Sequence, residues 1–381
     1  MHPITEVPTT RVVLSRASIA GIATTFLLMG MIVAGYGPLL EHLIRRFGVS
    51  LPVAGATISV HFAGSLPGVF IAMRSFERLP GRVTVMIATA TVGFGLVIIA
   101  IAFVWPAFLL GVFIVGLGFG ALVLGLNQLV AYSESRRRTA LLNALNGAYS
   151  AGAVGGPILV ATFAGEHFSP LYLVFAAVWL ALIPAAIGIT GRLPVSAGSR
   201  VRPGSLVWIF ILAFVLYVAI ENGTGGWMTS HLESVGLRST QAATVTSGFW
   251  LALVTGRLLI TLVPRSVPEG TIVLTGAGMA AVGLLAATAG ILAPWAYLVT
   301  GLALAPIFPT GIVWLAKLRP GDSRATSWLF PAASIGGIAG PGAIGIVIAQ
   351  AGVSWAPAVL AVVAIGMSIT FFVAARRTAA Q

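Results

Sequence analysis

Apolar runs, each about as long as a membrane crossing, alternate with short polar or Gly- and Pro-marked breaks along the whole chain. A helix rises about 1.5 Å per residue, so about 20 apolar residues span a bilayer's hydrocarbon core. On that measure the pattern predicts twelve membrane helices: Ser18–Leu40, Leu51–Met73, Val83–Phe103, Ala107–Ala131, Leu141–Gly165, Pro170–Thr190, Ser205–Met228, Thr240–Val263, Gly270–Ile291, Trp295–Lys317, Ser323–Gln350 and Ser354–Ala374. The first run is long enough to span and reads as a helix rather than a cleaved leader. The longest polar gap, 191–204, falls midway. It divides a first six-helix unit, 1–190, from a second, 205–381.

Composition excludes a soluble fold. The chain is 58% hydrophobic and 8% charged, whereas charged residues make up about a quarter of a soluble domain. The absence of cysteine rules out disulfides and thiolate metal sites, and no metal-ligand or Ser/His/Asp set gathers on one membrane face. Neither enzyme activity nor a cofactor is therefore expected.

Net charge is +12, which raises nucleic acid as a partner until the positions are mapped. With both termini cytoplasmic, 18 of the 21 Lys and Arg fall in inside segments; only Arg45, Arg46 and Arg238 fall outside. Such asymmetry is the positive-inside pattern of a membrane protein. The basic residues set topology, and no nucleic-acid partner is expected.

Internal repetition supports two related halves. Ser150, Gly152, Gly156 and Pro157 recur 184 residues later as Ser334, Gly336, Gly340 and Pro341. His61-Phe62 with Gly68 is echoed 188 residues later by Phe249-Trp250 with Gly256. Duplicated six-helix halves with a midplane site between them are a transporter plan. The Gly152–Pro157 and Gly336–Pro341 patterns read as close-packing surfaces, because small residues let helix backbones approach.

On these features the whole chain resembles the major facilitator superfamily. Its loop Arg74-Ser75-Phe76-Glu77-Arg78-Leu79-Pro80-Gly81-Arg82 is similar to the family's acidic-Arg-Gly-Arg loop, with one residue extra. Gly256-Arg257 keeps only the glycine and basic part of that pattern. The resemblance implies that Glu77, Arg78, Arg82, Gly256 and Arg257 latch helix ends during gating. Glu221–Trp227, Phe249-Trp250 with Gly256-Arg257, and Ala305-Pro306-Ile307-Phe308-Pro309-Thr310 most resemble the fucose–proton symporter-like branch, which implies hexoses or related polar solutes. That branch carries carboxylates in its first and fourth spans. Here those spans offer Gly35-Tyr36-Gly37-Pro38 and Asn127-Gln128 instead.

The fold expected is thus all-α: twelve transmembrane helices in two pseudo-symmetric six-helix bundles, with both termini cytoplasmic, in a bacterial-type inner membrane. The polar groups inside the spans are few. Glu221 is the sole acid there, and ionisable residues within a bilayer are costly and commonly functional. It reads as an acceptor for substrate hydroxyls, as a proton carrier, or as a structural carboxylate. The adjoining Asn222 and Gly223-Thr224-Gly225-Gly226 suggest an unwound break, tolerated where backbone lines a cavity. Asn143 and Asn146 share one helix face with Ser150 and suit hydroxyl recognition, or else helix–helix bonding; Asn127 is a further candidate. Tyr36, Tyr149, Trp227, Trp250 and Phe308 are candidate lining aromatics. His61, near the middle of its span, is the second proton-carrier candidate, or else a packed histidine. Pro306 and Pro309 suggest a hinge or a static kink.

The function these features imply is alternating-access movement of a sugar or similar small polar solute, by proton symport or facilitated diffusion, with the lipid bilayer as surroundings and a monomer as the expected state. Drug or metabolite efflux is the alternative. A non-transporting sensor is disfavoured, because no long loop or soluble domain is there to signal.

Overall fold

The computed structural model describes residues 12–134, 138–165, 167–191, 204–264, 266–319, 325–326 and 328–379. Most of the expected central loop lies outside them, as do Arg11, Arg136, Arg137, Arg192, Arg200, Arg202, Arg265, Arg324 and the side chain of Asn143. The chain forms helices α1 (Arg16–Phe47), α2 (Leu51–Arg78), α3 (Gly81–Ile101), α4 (Trp105–Ala131), α5 (Arg138–Phe163) and α6 (Phe168–Ala181), the last continued by a 3-10 turn at Ile183–Gly188. After the central segment come α7 (Ser205–Ser234), α8 (Ser239–Leu259), α9 (Glu269–Ala287), α10 (Ala293–Leu304), α11 (Ile307–Leu318), α12 (Leu329–Ala351) and α13 (Ala356–Ala379). Among the described residues, eleven helical segments are long and apolar enough to cross a membrane. The expected fifth span is helical as α5 but is not one of the eleven, its first half being diluted by Asn, Tyr, Ser and glycine.

Local chemistry explains where the helices start and stop. The Ser15 hydroxyl caps α1 by accepting from the Ser18 amide at 3.1 Å, which satisfies an otherwise free N–H. Proline in the first turn opens α2, α4 and α10, where its missing N–H costs nothing. Gly48, at φ 65°, ends α1 in the left-handed conformation that only glycine adopts freely. The expected tenth span is broken at Ala305-Pro306, so α10 and α11 are two pieces; Pro309 lies within α11. Strand β1 (Val13–Leu14) pairs antiparallel with β2 (Ile189–Thr190), tying the segment before α1 to the segment after α6.

α1 packs chiefly on α5, α2 and α3 on α4, and α3 on α6. Later in the chain α7 packs on α12 and α13, α9 on α10 and α13, and α8 on α10. Small residues make the approaches close. A methyl added at Gly116 of α4 would collide with the His61 carbonyl on α2, and one at Gly64 with the Phe113 carbonyl on α4. The two sequence repeats occupy matching places: Gly152 and Gly156 abut α1 at Leu27 and Met31, while Gly336 and Gly340 abut α7 at Val215 and Ala219.

Contacts between residues 12–191 and 204–379 run along α2–α12, α5–α8 and α1–α7. On α2 they fall in its first half. Gly55 lies under the Trp227 ring, Ile58 against Gly226, and Phe62 against Gly337, while the Ser59 hydroxyl donates to the Ile338 carbonyl at 2.8 Å. On α1 the contact is Gly37, against the carbonyls of Gly225 and Gly226. Away from this seam Ala144, Asn146 and Gly147 of α5 are exposed.

Candidate functional site

Helix α7 brings Tyr217, Glu221 and Thr224 to one face by their i, i+4, i+7 spacing. The neighbouring α8 presents Arg257 to that face. Its guanidinium donates to Glu221 Oε1 at 3.3 Å, and the two side chains are 26% and 15% exposed. Helix α5, which carries Tyr149, packs on α8, and α8 packs on α7, so helices from both sides of the central segment meet near the pair. Tyr217 is fully buried beside the pair, its hydroxyl within reach of both charged side chains. Phe308, just past the α10–α11 break, packs its ring 5.8 Å from Tyr217. The result is one carboxylate, one guanidinium with donors to spare, two phenols and an aromatic wall. Such a set can hydrogen-bond hydroxyls from two sides while its own charges cancel.

Two expectations are corrected here. Gly256-Arg257 is not a loop latch: both residues lie inside α8. Gly256 serves close packing, since a methyl there would meet the Leu302 carbonyl at 2.9 Å, and Arg257 is the counter-charge of Glu221. It also leaves the set of cytoplasmic topology residues. Secondly, Gly223–Gly226 is not unwound, because α7 is continuous from Ser205 to Ser234. Its glycines make room for neighbours instead: a methyl on Gly225 would come 2.7 Å from the Trp250 ring.

The other candidates disperse. The Asn222 amide is buried and donates to the Val218 carbonyl at 3.2 Å on its own helix. Asn146 is exposed but gives its N–H to the Leu142 carbonyl at 2.9 Å, and half-buried Asn127 gives its own to the Val123 carbonyl at 2.7 Å. Each amide commits one N–H to its own helix and keeps the second N–H and the carbonyl oxygen for other partners. Trp227 is completely buried, donates to the Pro341 carbonyl of α12 at 3.0 Å, and lays its ring on Gly55 of α2, so it belongs to the seam. Trp250 is buried against Phe249, with its N–H unpartnered in the protein. Tyr36 and His61 come together: the tyrosine hydroxyl lies 2.9 Å from Nδ1 of the imidazole. In the loop motif Glu77 pairs with Arg74 on its own helix at 3.4 Å, both exposed. Among the described residues it does not pair with Arg78 or Arg82, so the expected latch is not formed here. An acid–base pair not foreseen joins Glu269, at the start of α9, to Lys317, at the end of α11.

Comparison with known proteins follows the fold. No family model matches the chain. It is 23% identical over 338 residues to the glucose/mannose transporter GlcP of Bacillus subtilis (strain 168), covering 82% of this chain and 83% of that protein. Among solved structures it is similar to a bacterial homolog of the human lysosomal transporter Spinster in an inward-facing, occupied conformation. The TM-score is 0.76 at 13% identity, over 94% of this chain and 96% of that one. It is similar also to the D-xylose–proton symporter, with TM-score 0.75 at 13% identity over 93% and 96%. The expected resemblance to major facilitator transporters is therefore borne out as a likeness of fold over most of the chain, and the protein is an integral membrane protein.

Proposed function

We propose that the chain is a secondary transporter of a sugar or similar small polar solute, working by alternating access. Residues 1–190 and 205–381 form two six-helix bundles that rock about a central site in an inner membrane, with both termini cytoplasmic. The observation that carries this reading is the Glu221–Arg257 pair inside the helix assembly, on α7 and α8, with α5 from before the central segment packed on α8. Under the proposed orientation the seam of Gly37, Gly55, Ser59, Phe62, Trp227 and Gly337 is the outer seal, and the exposed stretch around Asn146 opens inward. The matched packing of the two glycine repeats supports duplication. The curated relative, a glucose/mannose transporter, favours a hexose over an apolar drug.

Glu221 and Arg257 are the residues proposed to bind solute hydroxyls, with Tyr149, Tyr217 and Phe308 completing the site. If protons are coupled, Glu221 is the candidate carrier, and the pair must separate when the carboxylate is neutralised, because a charged guanidinium left alone there is costly. Substrate-driven proton movement in proteoliposomes tests this: Glu221→Gln is expected to abolish it while leaving solute exchange, and unchanged proton flux removes the role. Counterflow of labelled glucose or mannose tests the transport reading itself.

A further inference from the structure

Tyr36 and His61 each sit one residue from a contact of the outer seal. Gly37, beside Tyr36, meets the α7 carbonyls of Gly225 and Gly226, and Phe62, beside His61, meets Gly337 of α12. The imidazole is fully buried. Its ring packs edge-on to Phe62 at 5.3 Å and to Phe119 of α4 at 4.7 Å. Nδ1 is engaged by the Tyr36 hydroxyl, while Nε2 has no hydrogen-bond partner in the protein.

Among the described residues no charged side chain makes a hydrogen bond or ion pair with this ring. The ring is faced by Tyr36 from α1, Phe119 from α4 and Phe62 from α2 itself, while Gly116 of α4 packs on the His61 backbone. An imidazolium donates from both nitrogens. In the sealed form it would find one acceptor, in Tyr36, and would leave a charged N–H among aromatic rings with no counter-ion. Burying a charge unpaired is far costlier than burying a neutral imidazole. The closed seal thus accommodates the neutral ring alone.

We propose that the Tyr36–His61 pair is a proton-binding site reached from outside when the seal parts, and that the seal closes over it only once His61 is neutral. This rests on the alternating-access reading above, and makes His61 a positioning residue for the outer seal rather than a ligand of the solute. The sign follows from linkage: the open form binds the proton and the closed form does not, so external acid raises the open population. A one-proton difference moves that ratio by up to about tenfold per pH unit.

The natural chain has no cysteine, so single cysteines can report on the seal directly. Ser59→Cys places a thiol within the seam, and Phe103→Cys, at a position 90% exposed, corrects for the thiol's own pH response. Both are labelled from outside with a membrane-impermeant maleimide on reconstituted protein. Normalised labelling of Ser59→Cys is expected to rise about fivefold or more between pH 7.5 and 5.5, and to stay flat when His61→Gln or Tyr36→Phe is added. Phe62→Ala is expected to raise labelling at both pH values.

A flat profile with His61 intact overturns the proposal, whatever the variants do. So does an equal rise in folded His61→Gln, which would place the proton elsewhere. The same cysteine separates the two levels of argument. Labelling that responds to glucose or mannose but not to pH rejects the proton site and leaves the transporter standing. Labelling that changes with pH but with no solute in a panel of sugars, polyols and nucleosides counts against the transporter reading.

Discussion

Removing Arg257 while keeping Glu221 isolates the interaction on which the proposed site depends. Arg257→Met keeps much of the side chain's packing length and strands a carboxylate that is only 15% exposed. Breaking a fully buried pair from one side costs about 3–5 kcal/mol, and a fully exposed pair contributes about 1 kcal/mol or less. With 26% and 15% exposure and a single contact at 3.3 Å, this pair falls between those limits, at about 2 kcal/mol. For a chain of 381 residues that corresponds to a fall of roughly 2–3 °C in unfolding temperature. Glu221→Gln combined with Arg257→Met removes both charges together, so the double variant is expected to unfold above Arg257→Met alone. Fluorescence-monitored thermal unfolding of the three purified variants beside the parent closes the cycle. Simple additivity of the two single shifts would refute the pairing, because two independent groups would lose stability separately.

Packing and seal predictions follow from the same contacts. Gly116→Val pushes a side chain into the His61 backbone carbonyl and is expected to destabilise the α2–α4 contact by about 1–3 kcal/mol; an unfolding temperature equal to the parent's would contradict that packing. Gly55→Leu places atoms inside the Trp227 ring across the seam, so it is expected to open the outer seal, read as increased external labelling of Ser59→Cys without loss of folded yield. Tyr149→Phe removes a proposed site hydroxyl and is expected to weaken solute binding about tenfold, the cost of roughly one neutral hydrogen bond, with thermal stability of the solute-free protein preserved.

The helices were legible because hydropathy and spacing report directly on what a bilayer demands. Eleven of the expected spans recur among the described residues, and the tenth breaks at Pro306 as proline chemistry requires. Arg257 was misassigned although it lies six residues inside the expected Thr240–Val263 span. Counting basic residues by side rewards placing each at a membrane face, and the pairing with Glu221, 36 positions earlier, is a tertiary fact. The glycines after Glu221 resemble a break in sequence. Packed against Trp250, Ile344 and Ile58 they are instead clearances in an intact helix. Tyr36 and His61 were each legible as polar intruders in apolar spans, but their meeting across 25 residues was not.

The most direct test of the central claim is counterflow of labelled hexose in proteoliposomes, comparing the natural chain with Glu221→Gln and Arg257→Met. The account predicts accumulation of label driven by unlabelled glucose or mannose in the natural chain, and its loss in folded Arg257→Met. Counterflow that survives intact in Arg257→Met would contradict the placement of the transport site at the Glu221–Arg257 pair.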